Sequence, residues 1–231
     1  MTPRPSESLA LVIERTRRAF EDAQRDPTIY ARQAEAERAE YQALLRSRCD
    51  LRGVPAGVDV RRWVFANDPR GEACEVLTSS TAQRGEPGRG RWALVVLLGG
   101  TGVGKTSALA RFVARHPREA LYDYAADAAQ TLVDRAHRGP SERYELLREV
   151  DLLTLDELGT EAPNDTPELL RLIARRCDAG KMTALAGNLS PEQFTARYLE
   201  TDARFASRLG SPQGRLVRLD GADLRRDEAS S

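Results

Sequence analysis

Between residues 99 and 106 the chain reads Gly-Gly-Thr-Gly-Val-Gly-Lys-Thr, and few stretches of eight residues restrict a fold so tightly. Glycine at Gly99, Gly100, Gly102 and Gly104 lets the backbone curl so that its N–H groups point inward with no side chain in the way. Such a curl cradles phosphates where it joins a buried strand to the first turn of a helix, because the free amides and the helix dipole then face one point. The lysine that follows reaches the outer phosphates, and the hydroxyl after it ligates Mg²⁺. Both flanks comply, since Trp92 to Leu98 is a continuous apolar run and Lys105 to Arg115 carries Leu109, Phe112 and Val113 on one helical face. Lysine is also rare in this chain, Lys105 and Lys181 being its only examples, so one inside a motif is telling. The expected nucleotide-binding residues are Gly99, Gly100, Thr101, Gly102, Val103, Gly104, Lys105, Thr106 and Ser107, with Thr106 also on the metal.

The remaining pattern is that of an α/β fold, a parallel five-stranded sheet flanked by helices. Ala120 to Tyr124 reads as a second strand, and helical sequence from Ala125 to Val150 is interrupted at Gly139 and Pro140. Leu152 to Leu155 is a short buried strand, and Met182 to Ala186 and Arg215 to Leu219 supply the fourth and fifth. Thr166 and Pro167 are expected to cap and open a helix striped with Leu169, Leu172 and Ile173, with Gly180 at its left-handed end. Ser190, Pro191 and Gln193 form a capping box for a helix bearing Phe194 and Tyr198. Upstream, residues 8 to about 48 form a helical arm rich in Ala, Arg and Glu, broken only at Pro27. The glycines and proline from Leu51 to Gly57 mark a boundary, and Gln83 to Arg91 reads as a surface loop. The expected organisation is an arm over 1–50, a nucleotide domain over 51–226 and a tail over 227–231.

Composition excludes several function classes. The 35 basic and 35 acidic side chains cancel, so the whole molecule presents no basic field, and any nucleic-acid surface must be local. Cys49, Cys74 and Cys177 are odd in number and far apart, which suggests neither a disulfide framework nor a zinc site and fits a reducing cytoplasm. No apolar run approaches a membrane span, and the residues around Pro3, Arg4 and Pro5 lack the apolar stretch of a signal peptide. His116 and His137 have no partners at ligand spacing, and Cys74 and Cys177 read as packing residues.

Three further places carry chemistry. Leu152 to Glu157 is an apolar strand ending in two carboxylates, of which Asp156 is expected to hold the water shell of Mg²⁺ and Glu157 to polarise the attacking water. Asn188 follows the fourth strand; if that strand lies between the loop strand and the Asp156 strand, its amide arrives near the terminal phosphate as a sensor. Arg204 and Arg208 stand four apart, and one of them, Arg208 by preference, would stabilise transferring phosphoryl charge from a neighbouring subunit.

Taken in order, 99–106, Leu-Leu-Thr-Leu-Asp-Glu-Leu-Gly at 152–159, Gly-Asn-Leu-Ser at 187–190, Ser-Arg-Leu at 207–209 and Leu-Asp-Gly-Ala-Asp-Leu-Arg at 219–225 resemble the AAA+ ATPases of the DnaC/IstB type. These are bacterial and phage helicase loaders and transposition helpers. Arg52-Gly53-Val54-Pro55 is similar to the family's lead-in, and the resemblance covers about residues 50 to 226. It implies a P-loop NTPase fold of AAA+ type, with Asp156 and Glu157 as Walker B, Asn188 as sensor 1 and Arg208 as the finger. It further implies an ATP- and Mg²⁺-dependent homo-oligomer that binds DNA, single-stranded by preference, and engages a replicative helicase or a transposase through its arm. The chain departs from the family at Ala186 and Gly187, where hydroxyl-bearing residues are common, and its arm lacks clustered cysteines. A helicase-loader-like ATPase is the leading expectation. A transposition helper, an adaptor with negligible turnover and a P-loop small-molecule kinase are the alternatives, the last disfavoured because Asp156, Glu157 and Asn188 suit water as acceptor.

Overall fold

Five strands run parallel in the order β2-β3-β4-β1-β5, where β1 is Leu94–Gly99, β2 Ala120–Tyr124, β3 Leu152–Leu158, β4 Met182–Gly187 and β5 Gly214–Leu219. The computed structural model describes residues 93–219 throughout, together with 46–56, Val58 and six residues between 35 and 44. Trp92, Cys74, the loop expected over 83–91, most of the arm and the tail lie outside the described residues. The chain divides into two compact units, Met1–Leu45 and Arg46–Ser231. In the first, the six described residues are helical and exposed.

The second unit contains, besides the sheet, helices α1 (Lys105–Arg115), α2 (Ala125–Arg138), α3 (Glu142–Glu149), α4 (Thr166–Asp178), α5 (Pro191–Phe194) and α6 (Ala203–Leu209). Central parallel strands are covered on both faces, which is why β1 and β4 are apolar or small at nearly every position and buried. Alternation divides their side chains: Leu94, Val96 and Leu98 enter a core with Leu153, Leu155 and Leu185 and with apolar residues of α2, α3, α4 and α6. Val95 and Leu97 are equally buried outside that core, and α1 packs on β2, β3 and β4 with Leu109, Phe112 and Val113 inside. No helix among the described residues is long and apolar enough to cross a membrane.

Several boundaries fall where expected, α1 and β2 among them, and α2 gives way to α3 at Gly139 and Pro140. Others differ. The third strand continues three residues past Leu155, through both acids to Leu158. Asp165, not Thr166, is the cap residue of α4, because the Thr166 hydroxyl turns inward to the carboxylate of Glu161. The Ser190–Gln193 capping box forms as expected, but the helix it starts widens after one turn into a π-helical turn over Thr195–Leu199.

Two arginines fasten these layers. Arg52 donates to the carbonyls of Val113 (2.5 Å), His116 (2.9 Å) and Arg118 (2.8 Å), closing the carboxyl end of α1, while its own carbonyl accepts from Tyr122 N–H (2.7 Å) on β2. Gly53 follows with φ 79°, where a Cβ would sit 2.6 Å from the Tyr122 carbonyl oxygen. Arg176 of α4 is buried and donates to the carbonyls of Leu147, Arg148, Val150 and Met182 and to the Thr183 hydroxyl, at 2.8–3.1 Å. Burial lowers its pKa to about 10, yet the five acceptors hold it as a cation that ties α3 to β4.

Removing Arg176 strands buried carbonyls without donors, so Arg176→Met is expected to cost about 3 kcal/mol or more in urea unfolding. Arg176→Lys, with three donors on a point charge, is expected to recover only part of that loss.

Candidate nucleotide-binding site

The loop begins where β1 ends. Gly99 pairs with Leu219 of β5, and a Cβ there would lie 2.2 Å from the Leu219 carbonyl oxygen, so this glycine serves close strand packing. A Cβ on Gly100 would meet nothing within 4 Å, so the backbone faces open space at that point. Gly102 and Gly104 adopt φ 78° and 91°, and the turn they make delivers the chain into α1 at Lys105. Val103 is buried and anchors the loop, while Thr106 and Ser107 are half-buried. Helix α1 starts from Gly104 with no side-chain cap and no acid in its first turn, so its leading amides present positive potential to an anion. Lys105 is buried and its ammonium donates to the carbonyls of Gly99 (2.8 Å) and Gly100 (2.6 Å), over the entrance of its own loop.

Asp156 and Glu157 sit together at the end of β3 but in different surroundings. Leu155 pairs with Leu185 and Leu158 with Gly187, so two residues of β3 oppose the single Ala186 of β4, and the strand bulges. The bulge lets Leu155 and Leu158 face the same core, leaves Asp156 buried toward the other side, and lifts Glu157 out to solvent. Glu157 takes φ 55°, the only positive φ outside glycine among the described residues. A non-glycine residue held there costs on the order of 1 kcal/mol or more, strain that persists where surrounding structure over-determines it. Asp156 accepts the Glu157 N–H on Oδ1 (2.8 Å) and the buried Tyr122 hydroxyl on Oδ2 (2.6 Å). Burial and then the Asp156 charge push the Tyr122 phenol far above its ordinary value, so it remains a donor.

The sheet order meets the condition set for Asn188, because β4 lies between β1 and β3. Leu98, Gly187 and Leu158 form one row across the three strands, and Asn188 is the exposed residue just beyond it. The glycine loop, Asn188 and the acid pair therefore leave adjacent strands at their carboxyl ends, the edge where open α/β sheets bind ligands.

Arg208 does not join this group. Its guanidinium donates to Asp178 Oδ1 from Nε (3.1 Å) and again from Nη2, and to the Arg204 carbonyl from Nη1 (3.1 Å). With Arg171, Arg175 and Arg204 it lines a cleft of about 460 Å³ between α4 and α6. A second cleft beside it, of about 300 Å³, is lined by Ala93 and Leu94, at the amino end of β1. Strand β1 separates that point from Gly99 by roughly 16 Å of extended chain. His116 is a buried cap residue of α1, and His137 lies exposed in the last turn of α2. Cys49 is buried and Cys177 half-buried, both as free thiols.

Tyr122 touches Asp156, Asp178 touches Arg208 and Glu161 holds the Gly159 amide two residues past Glu157, yet none of the three carries a sequence signal. Tyr122 reaches Asp156 across 34 residues of sequence, a pairing that only the β2–β3 register creates.

No protein-family model and no curated protein matches the chain. Solved structures do. AMPPCP-bound DnaA from Aquifex aeolicus superposes with a TM-score of 0.57 at 20% identity, covering 75% of this chain and 52% of DnaA. DnaI matches with a TM-score of 0.55 at 21% identity, covering 73% of this chain and 91% of DnaI. The DnaC helicase loader matches with a TM-score of 0.51 at 20% identity, covering 71% of this chain and 98% of DnaC. This chain thus spans about half of the DnaA structure and nearly all of the two smaller ones. At these identities the likeness concerns the fold, and the parallel five-stranded sheet flanked by helices is an α/β fold of the AAA+ type.

Proposed function

We propose that the chain binds ATP with Mg²⁺ on the loop 99–106 and hydrolyses it, and that it works in DNA replication as a cytoplasmic switch of the helicase-loader kind. One observation carries the reading: the strand order sets the glycine loop, Asn188 and the Asp156–Glu157 pair on three neighbouring strands at one sheet edge.

The residues fit the ligands. Uncapped amides at the start of α1 and the open space beside Gly100 suit phosphate oxygens. Lys105 would exchange the carbonyls of Gly99 and Gly100 for β- and γ-phosphate oxygens, with three donors to offer. Mg²⁺ prefers a few protein oxygens and keeps several waters, which the Thr106 hydroxyl and the remaining lone pairs of Asp156 can satisfy. When bound, it neutralises charge on the outer phosphates. Exposed Glu157 would take up or orient the proton of an attacking water while buried Asp156 stays engaged with Tyr122. Asn188 would align that water. Arg208 stands at the sheet edge opposite its own loop, which favours action on the nucleotide of a neighbouring subunit in an ATP-dependent homo-oligomer.

A DnaA neighbour solved with AMPPCP and single-stranded DNA supports both ligands as proposals here, at a TM-score of 0.53 and 18% identity. The switch would operate through differential affinity, the ATP state gripping DNA and partner and the hydrolysed state releasing them. Residues 1–50 would be the partner-binding arm that meets the replicative helicase, 51–226 the ATPase domain and 227–231 a tail.

ATP turnover and oligomeric state, measured together with and without single-stranded DNA, test the reading: Mg²⁺-dependent phosphate release and ATP-dependent assembly are expected, and neither occurring would refute it. Lys105→Ala is expected to abolish binding of a fluorescent ATP analogue. Glu157→Gln is expected to retain that binding and lose about a hundredfold or more in turnover. Mixing Arg208→Ala with Lys105→Ala protein is expected to restore part of the phosphate release, since one subunit then supplies the loop and its neighbour the arginine; no recovery would count against action across subunits.

A further inference from the structure

Glu161, three residues beyond β3, has a side chain with no solvent exposure, an unusual position for a carboxylate. Its Oε2 accepts the Gly159 N–H at 2.9 Å. Its Oε1 accepts from Arg197 Nε at 3.2 Å, from the Thr166 hydroxyl at 3.3 Å and from the Tyr198 hydroxyl, and lies 3.1 Å from Arg197 Nη2 in an ion pair. Arg197 also donates to the Glu161 main-chain carbonyl. One buried side chain thus binds the turn after the acid pair, the first residue of α4, and the π-helical turn over Thr195–Leu199 that follows the Asn188 strand.

That turn carries two residues with positive φ. Glu157 is held at φ 55° and Gly159 at φ 105°, so the peptide units between them sit in a conformation that the Glu157 side chain does not favour. Thr160 N–H and hydroxyl close the turn onto the Glu157 carbonyl (3.1 and 2.8 Å), and Glu161 fixes its remaining amide through Gly159. On the far side, the Tyr198 ring packs at a tilt against Phe194 (5.2 Å between ring centres) and Phe205 (6.3 Å), and Phe205 belongs to α6, which carries Arg204 and Arg208. Apolar side chains of similar volume often replace a buried ion pair without loss of stability, so the charges call for a reason beyond packing. π-helical turns are uncommon and concentrate at functional sites.

We propose that Glu161 is the positioning residue of the acid turn: by holding the Gly159 amide it fixes the backbone that aims Glu157, and its ion pair with Arg197 joins that turn to the segment leading into α6. The proposal rests on the hydrolytic role assigned to Glu157. It makes aim at the water and the placement of the arginine helix two ends of one buried contact. A misaimed general base loses turnover while nucleotide affinity, set at the loop 99–106, is retained.

The test measures steady-state ATP hydrolysis and thermal midpoint on the full chain for wild type, Glu161→Gln and the double variant Glu161→Met/Arg197→Met. In Glu161→Gln, kcat is expected to fall about tenfold or more with KM within about twofold of wild type. The double variant removes both charges together, so its thermal midpoint is expected to exceed that of Glu161→Gln while its turnover stays low. Wild-type turnover in Glu161→Gln, or turnover that returns with stability in the double variant, would overturn the positioning role and leave the ATPase reading intact. A wild-type chain that neither binds nor hydrolyses ATP would overturn the ATPase reading, and this one with it.

Discussion

The geometry of the whole site depends on one row of parallel pairing, Leu98 to Gly187 to Leu158, across β1, β4 and β3. Parallel strands deliver their following residues to a common edge, so this row decides that a glycine loop, an amide and an acid pair emerge side by side. Gly187 is what permits so close a row. A Cβ at that position would lie 2.8 Å from the Leu158 carbonyl oxygen, and the absence of one lets β4 fit between its neighbours. Gly99 plays the matching part on the other side of β1, against Leu219. The loop glycines thus divide their duties between strand packing, left-handed backbone and an open approach.

The acid end of the row is built differently from the loop end. The loop owes its shape to residues within it. The acid turn adds to its own local bonds a set of contacts from outside it, with Tyr122 on β2 and Glu161, Arg197 and Tyr198 around it. The β-bulge separates two adjacent carboxylates into a buried, doubly hydrogen-bonded Asp156 and an exposed Glu157. Two equivalent acids become a fixed one and a free one, a division suited to metal support and to proton handling respectively.

What was legible in the sequence follows from this difference. Lys105–Arg115 and Ala120–Tyr124 could be bounded to the residue because a glycine loop, His116-Pro117 and apolar periodicity are local signals. The position of Asn188 beyond the strand between the other two was legible only as a condition, since strand order is a property of the folded sheet. The extension of β3 to Leu158 was hidden because acids inside a strand look like a turn, and nothing local announces a bulge. Thr166 looked like a cap and became the first helical residue because a buried carboxylate claimed its hydroxyl. Tyr122 and Glu161 carry no signal of their own in the sequence, because Asp156, the partner of Tyr122, and Arg197 and Tyr198, the main partners of Glu161, lie 34 to 37 residues away from them. Arg208 is marked by its motif, but its pairing with Asp178 and its station at the opposite sheet edge come from the packing of α6 on α4.

The central claim is that backbone amides from Gly100 to Ser107 close around a triphosphate next to the Asp156–Glu157 turn. Amide hydrogen exchange, followed with and without a non-hydrolysable ATP analogue and Mg²⁺, reads those amides directly. The account predicts slowed exchange over 100–107, with a second protected segment at 157–159 and no comparable change in α3. Unaltered exchange over 100–107 at saturating analogue, or protection confined to other parts of the chain, would contradict it.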